Sequence, residues 1–223
     1  MFSKTNEAIY GVPKFLSTEI EERKTKYCLC IPIINEGERI RKQLERAQQH
    51  GIDKLVDIII CDGDSTDGST AIDQLKMLGV NTLLTKKDSG KQGAQLRMGF
   101  WFALERGYEG IITIDGNNKD SIESVPLFIE KLEQEFDLVQ GSRYVEGGKA
   151  INTPKIRHFA VQFIHSPLIS LTARHRFTDS TNAYRCYSKK YLTHIKVQPF
   201  RPIFTTYELL AFLSVRASQL GLK

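Results

Sequence analysis

KLVDIIIC (54–61) leads directly into DGDSTDGS (62–69), and a helical pattern begins beyond it. An apolar run of this length, closed by Asp, Ser and Gly, reads as a strand that ends in a turn and feeds a helix. Because the run is apolar on both faces, the strand belongs inside a parallel sheet covered on both sides. The same unit recurs in both directions. Upstream, YCLCIPII (27–34) is stopped by Asn35, and GERIRKQLERAQQHG (37–51) carries Ile40, Leu44 and Ala47 at helical spacing before a glycine stop. Downstream come a turn and helix in STDGSTAIDQLKMLG (65–79), a third strand in VNTLLT (80–85) and a glycine-rich loop with helix over 88–107. A fourth strand GIITID (110–115), a helix SVPLFIEKLEQEF (124–136) and a fifth strand DLVQGS (137–142) complete the series. This alternation predicts an α/β fold with a Rossmann-like, mostly parallel sheet and helices on both faces. Ligands of such sheets bind beyond the C-terminal strand ends, and the polar clusters fall there: Asn35–Glu36, Asp62–Asp67, Asp115–Asp120 and Ser142–Arg143.

After Arg143 the rhythm breaks. IRHFAVQFIHSPLISLTARHRF (156–177) is amphipathic, with a kink expected at Pro167, a polar turn TDSTNAYRCYSKK follows, and a helix bearing Leu209, Leu213 and Leu220 closes the chain. Residues 1–26 are weakly patterned and are expected as an extension outside the core. The chain of 223 residues is long enough for one sizeable core, and its 41% hydrophobic and 26% charged residues exclude a mainly disordered protein. Charge is uneven. Residues 1–142 hold 18 Lys and Arg against 23 Asp and Glu, a balance of −5, whereas residues 143–223 hold 13 against 3, a balance of +10. A basic C-terminal third suits an anionic partner (phosphate, nucleic acid or an acidic membrane surface) or a solvated face. Cys28, Cys30, Cys61 and Cys186 form no C-x-x-C pair and have no His cluster, so a zinc site is not expected. Their apolar settings suit a reducing, cytoplasmic compartment. MFSKTNEAIYGVPKF has no apolar signal core, and no run approaches the ~20 residues of a membrane span.

Three segments offer chemistry. In CDGDSTDGS (61–69), Asp62, Asp64 and Asp67 supply acceptors for a base or ribose, and the following helix supplies N–H groups for a phosphate. In IDGNNKDS (114–121), Asp115 and Asn117 stand at i and i+2 with Asp120 behind, hard oxygen donors suited to Mg2+ or Mn2+ on a diphosphate. In KKDSGKQGAQLRMG (86–99), Gly90 and Gly93 permit close backbone approach while Lys91 and Arg97 add positive charge. Each also reads as an ordinary turn or cap.

Taken in order, these segments resemble the family-2 inverting glycosyltransferases. IPIINEGERI is similar to their I-P-x-Y-N-E opening, CDGDSTDGS to D-G-G-S-x-D-G-T, and IDGNNKDSIESVP stands where their D-x-D motif does. FDLVQGSRYVEGG and TDSTNAYRCYSKKYL resemble the G-S-R and D-x-T-S-G-F-R-x-Y segments of dolichyl-phosphate mannosyltransferase-like members. The resemblance covers residues 27–223 and implies the GT-A fold, with a nucleotide-sugar-binding half at 27–142 and an acceptor-binding half at 143–223 of a single domain. It places Pro32, Glu36 and Asp62 on the nucleoside, with Asp64 close by. Asp115 and Asn117 would hold the metal, and Lys91, Arg97, Lys119 and Arg185 would serve the donor phosphates. Arg143 and Arg157 would hold an acceptor phosphate. A nucleotide sugar and a polyprenyl phosphate at a membrane surface are then the partners, with no nucleic acid. A hydroxyl acceptor would need a carboxylate base, Asp120 or Asp179; a phosphate acceptor would not.

Departures from the family pattern matter as well. Ile34 replaces an aromatic residue, Asn117 removes one anionic metal ligand, and Lys119 can take over part of the charge neutralisation. Weak binding of Mg2+ or Mn2+ is therefore expected. Two rival readings stand beside transfer. One is a nucleotide-sugar binder without catalysis. The other is a haloacid-dehalogenase-type phosphatase, because Asp62-Gly63-Asp64-Ser65-Thr66 fits D-x-D-x-T with Asp62 as nucleophile. Segment 156–177 has two readings of its own: a core helix with a basic solvent face, or a segment lying on an anionic bilayer as a peripheral contact.

Overall fold

The computed structural model describes residues 2–5, 11–148 and 155–223. The chain opens with β1 (Phe2–Thr5) and β2 (Phe15–Glu19), then β3 (Tyr27–Ile33), α1 (Glu38–Gln49), β4 (Asp57–Asp62), α2 (Ile72–Met77) and β5 (Val80–Lys86). Next come α3 (Gln92–Glu105), β6 (Gly110–Thr113), α4 (Val125–Glu133) and β7 (Leu138–Gln140). A helical excursion follows: α5 (Lys155–Ala160), a π-helical turn (Val161–His165) and α6 (Ser166–Ala173). The described chain ends with β8 (Arg185–Ser188), α7 (Lys189–Leu192) and α8 (Glu208–Gln219).

The strands form one sheet in the order β1-β2-β5-β4-β3-β6-β8-β7. The central four, β5, β4, β3 and β6, are parallel, while β2 pairs antiparallel with β5 and β8 antiparallel with β6. Side chains of β3 and β4 alternate between two cores, as the pleat requires. Cys28, Cys30, Ile59 and Cys61 face the layer with Met98, Phe100, Leu209 and Leu213 of α3 and α8. Leu29, Ile31, Ile58 and Ile60 face the layer with Ile40, Leu44, Leu75 and Phe128 of α1, α2 and α4. All four cysteines are buried free thiols.

Two expectations are corrected. The N-terminal segment does not lie wholly outside the core: β2 extends the sheet, and Val12 and Phe15 join the α3/α8 core. The polar turn over 178–190 contains a strand, β8, inserted between β6 and β7, with Arg185, Cys186 and Tyr187 buried. Its tyrosines supply the apolar area that a count of Leu, Ile and Val misses. The kink expected at Pro167 takes the form of the π-helical turn, which ends two residues before it.

Candidate functional site

The C-terminal ends of β3, β4, β5 and β6 reach one edge of the sheet, and the loops that follow them lock together there. Asn35, after β3, accepts the Thr66 N–H at 2.8 Å, and its own N–H donates to Ser65 Oγ at 2.9 Å. Gln95 of α3 donates from Nε2 to Ile33 O at 2.6 Å and to Cys61 O at 2.8 Å, clamping the two strand ends from below. Three non-glycine residues on this edge are left-handed: Asn35 (φ 52°), Asp64 (φ 76°) and Asn118 (φ 58°). Asn and Asp tolerate that region better than other side chains, which is why strand ends of this shape use them.

Asp62 is 1% exposed. Its carboxylate accepts from the N–H groups of Asp64 and Ser65 at 3.1 Å and from Ser65 Oγ at 2.6 Å. Burial raises its pKa, partly offset by those hydrogen bonds. Asp62 therefore builds the turn, and its oxygens are occupied where a phosphatase nucleophile would have to present one. Asp64 is exposed and pairs with Lys87 at 2.7 Å. Pro32 is half-buried in β3, and Glu36 is ion-paired with Arg39 at 2.8 Å.

The turn after β6 is tied from both sides. Gln92, the first residue of α3, donates from Nε2 to Asp115 Oδ1 at 2.6 Å. The N–H of Asn118 donates to Gln43 Oε1 at 2.8 Å, and its Oδ1 accepts from Arg46 Nη1 at 2.7 Å, so α1 fixes the far end. A side chain at Gly116 would place Cβ 2.4 Å from Ile33 Cγ2, so only glycine brings Asp115 this close to β3. Asn117 Oδ1 accepts the Lys119 N–H at 3.1 Å, and Lys119 is exposed. Asp120 is half-buried, and burial raises its pKa, with Arg143 and Lys119 acting against that and Asp179 reinforcing it.

Arg143 is gripped by Asp179, with Nε 2.7 Å from Oδ2 and Nη2 2.9 Å from Oδ1, and it also donates to Thr181 Oγ1 at 2.9 Å. Burial alone would raise the Asp179 pKa, but the hydrogen bonds and charge of Arg143 hold it below the usual carboxylate range. Asp179 is thus committed to orienting Arg143 and is removed from the candidate bases. The excursion α5–α6 is fastened to the same place: Gln162 donates to Thr178 O at 3.0 Å, and His165 Nδ1 lies 2.7 Å from Ser180 Oγ. Of the apolar residues of that excursion, Val161 and Ala173 are buried, but six large ones are not. Ile156, Phe159, Phe163, Ile164, Leu168 and Leu171 are 54–86% exposed, which overturns the core-helix reading of 156–177. The side chain of Arg157 lies outside the described residues.

Two expected phosphate contacts are corrected. Arg185 is 1% exposed and donates to the carbonyls of Asn182 (2.9 Å) and Leu210 (2.6 Å) and to Ser214 Oγ (2.7 Å). Arg97 is buried and donates to Phe204 O at 2.9 Å and to Gly11 O. Arg185 is a structural tie with most of its donors spent, and Arg97 spends its Nε and Nη1 on backbone carbonyls. Gly93 is close to backbone, as expected, but the backbone is the protein's own: an added Cβ would stand 2.4 Å from Thr206 O. Lys91 is exposed at the start of α3, and its N–H donates to Thr205 O at 2.8 Å. Sequence reasoning missed Gln43, Arg46, Gln92 and Gln95. Gln43 carried a signal, a polar residue one turn after Ile40 on the buried stripe of α1.

Comparison with known proteins decides the family. The glycosyl transferase family 2 profile matches residues 28–196. The chain belongs to that family. Among curated family members, the undecaprenyl-phosphate mannosyltransferase of Micrococcus luteus is 30% identical over 160 residues, 70% of this chain and 64% of the relative. The polyprenol monophosphomannose synthase of Mycolicibacterium smegmatis is 30% identical over 127 residues, 56% of this chain and 47% of the relative. The dolichol-phosphate mannosyltransferase of Pyrococcus furiosus is 28% identical over 134 residues, 59% of this chain and 37% of the relative. The chain spans less than two thirds of each of these relatives. In fold, it is similar to glucosyl-3-phosphoglycerate synthase from Mycobacterium tuberculosis, solved with Mn2+, uridine diphosphate and glucosyl-3-phosphoglycerate. The TM-score is 0.57 at 15% identity, covering 85% of this chain and 67% of that one. The fold is therefore GT-A, as the resemblance implied.

The family's metal position has a limited fit to a divalent ion. Among the described residues no group of three or more His, Cys, Asp or Glu side chains could hold one. Asp115 supplies one carboxylate, and the Asn117 amide oxygen is engaged by its own turn. That donor set suits a hard ion that takes most of its ligands from a diphosphate and water. Asn117→Asp should tighten Mn2+ binding about tenfold, and Lys119→Ala should make donor binding more dependent on the metal. Calorimetry of Mn2+ and nucleotide sugar with wild type and both variants measures this; identical metal dependence in all three would remove this turn from the donor phosphates.

Proposed function

We propose that the chain is an inverting glycosyltransferase that moves a sugar from a GDP- or UDP-sugar to a polyprenyl phosphate at a membrane surface. The observation that carries this reading is the fastening of an exposed apolar helical face to the turn that holds Arg143. A lipid tail and its phosphate need an apolar surface and a guanidinium side by side, and residues 156–171 with Arg143 supply that pair. The basic balance of residues 143–223 suits an anionic leaflet. Similarity to an undecaprenyl-phosphate mannosyltransferase and a polyprenol monophosphomannose synthase supports the same acceptor class.

The donor would lie across the strand ends, with its diphosphate at Asp115, Lys119 and Lys91. Asp115 and Asn117 would hold Mg2+ or Mn2+, which supplies charge neutralisation for the departing diphosphate. Gln92 keeps the Asp115 carboxylate in place, and Lys119 adds a fixed positive charge beside it. Arg143, oriented by Asp179, would hold the acceptor phosphate for attack on C1 from the side opposite the diphosphate. That phosphate is already ionised, so no strong base is needed. Asp120, with its raised pKa, would serve as base only for a hydroxyl acceptor. Among the described residues no helix is long and apolar enough to cross a membrane; the lipid contact proposed here is made by the exposed face of residues 156–171.

The test is transfer of labelled sugar from a panel of nucleotide sugars to a polyprenyl phosphate in vesicles, with Mn2+ present. Label should pass into the lipid phase for one base and sugar. Donor-induced thermal stabilisation without transfer would favour the binder reading, which the missing carboxylate at 117 supports. The membrane contact has its own measurement. Phe159→Asp with Phe163→Asp should cut sedimentation with anionic vesicles at least about tenfold, since each buried Phe is worth ~1.5–3 kcal/mol. Unchanged sedimentation would retire that surface.

A further inference from the structure

A second cationic site stands apart from the strand-end cleft. A pocket of about 410 Å3 is lined by Ile195, Lys196, Val197, Gln198, Arg201, Phe212 and Arg216, and shares no residue with the donor turns or the Arg143 cluster. Three cations border it, and none of them forms an ion pair among the described residues, whose ion pairs all lie elsewhere. They are not loosely placed. Arg201 is held with its Cζ 4.5 Å from the ring centroids of both Phe204 and Phe212, and its Nε is buried with no hydrogen-bond partner. Arg216 donates from Nε to Lys196 O at 2.8 Å, which fixes the strap carrying Lys196 against α8. The strap itself is shaped by a left-handed Gln198, at φ 48°.

Like charges gathered around one hollow repel one another, and a buried N–H without a partner costs free energy. An anion with several oxygens in the hollow relieves the repulsion. A guanidinium held against two rings that pack on each other, with centroids 4.9 Å apart, is a fixed fork, the geometry that matches phosphate oxygens. We propose that Lys196, Arg201 and Arg216 form a second anion site that takes a phosphate or phosphate ester, distinct from the donor diphosphate and from the acceptor phosphate at Arg143. A free phosphorylated metabolite and a phospholipid headgroup share this chemistry. The inference does not depend on the transferase reading, because it uses none of that site's residues.

The test is an amide chemical-shift titration of the labelled chain with inorganic pyrophosphate, in wild type and in the double variant K196Q/R216Q. Arg201 is left intact because it is part of the packing. Saturable shifts are expected at 195–201 and 212–216, at least about tenfold weaker in the double variant, while shifts at 115–120 persist. The charge-conserving K196R/R216K should recover most of the binding, which a folding defect would not allow. Vesicles of phosphatidylglycerol and of phosphatidylcholine separate the two sources. With the 156–171 face removed by Phe159→Asp and Phe163→Asp, loss of the remaining phosphatidylglycerol binding in K196Q/R216Q assigns the site to a headgroup; vesicle binding unaffected by K196Q/R216Q with lost pyrophosphate binding assigns it to a free ligand. Shifts confined to the strand ends, or equal binding by wild type and K196Q/R216Q, would overturn the proposal.

Discussion

Replacing Arg185 with methionine should lower the unfolding free energy by roughly 2–4 kcal/mol while leaving nucleotide-sugar affinity within about twofold of wild type. The family pattern points the other way, since it puts this arginine on the donor phosphates. The geometry decides. Arg185 is 1% exposed, and its donors reach Asn182 O, Leu210 O and Ser214 Oγ, which joins β8 to α8. Methionine fills much of the space but leaves those acceptors without their charged donor in a dry interior, where the lost bonds cannot be replaced by water. For a chain of this size the loss corresponds to about 5–15 °C in Tm. Thermal unfolding and donor titration of one preparation measure both quantities. A large loss of donor affinity at unchanged Tm would return Arg185 to the donor site.

The largest effect on activity is expected at Asp115. Asp115→Asn should lower kcat/KM for sugar transfer by about 10²–10³-fold with little change in stability. The substitution keeps the size of the side chain, and an amide oxygen can still accept from Gln92. It removes the single carboxylate that the turn offers a divalent ion, and Asn117 cannot stand in for it. The readout is transfer across a Mn2+ titration, with Tm measured alongside. If the rate falls less than about threefold at all Mn2+ concentrations, the 115–119 turn does not carry the donor diphosphate.

Much of the fold was legible because its strands announce themselves. A run such as DIIIC is apolar on both faces, and that property follows from burial between two helical layers. The strand-end turns were equally visible, since Asp, Asn and Gly are what left-handed and tightly packed positions require. β8 was hidden because RCYS carries a charge and a polar terminus; only the surrounding structure shows that the charge is consumed by backbone carbonyls. The same blindness explains Arg97 and Gly93. Positive charge and glycine near a helix start are what a phosphate loop needs, but they are also what a helix needs to receive a second stretch of backbone, here 204–206. Sequence cannot tell whose oxygens will fill the space. Segment 156–177 fails in the opposite sense: its apolar residues look like core, yet burial falls to Val161 and Ala173 while Phe159, Phe163 and Leu171 stay exposed.

The insertion of β8 beside β7 has a consequence for how this protein can change. Gln140 and Arg185 face one another in register, so residues 141–184 leave the sheet and return to it at adjoining positions. That excursion, with Arg143, Asp179 and the exposed apolar face, starts and ends at two neighbouring points of the sheet and is tied back where Thr113 Oγ1 donates to Ala183 O and Tyr184 Oη to Ser121 O. Its length is weakly constrained, since doubling a closed loop costs only about 0.6 kcal/mol of chain entropy. Exchange of the stretch between homologous proteins leaves strand pairing in place as long as its ties to Thr113 and Ser121 are kept. The sheet and the excursion are thus separable parts, the one carrying the strand-end turns and the other the surface that borders them.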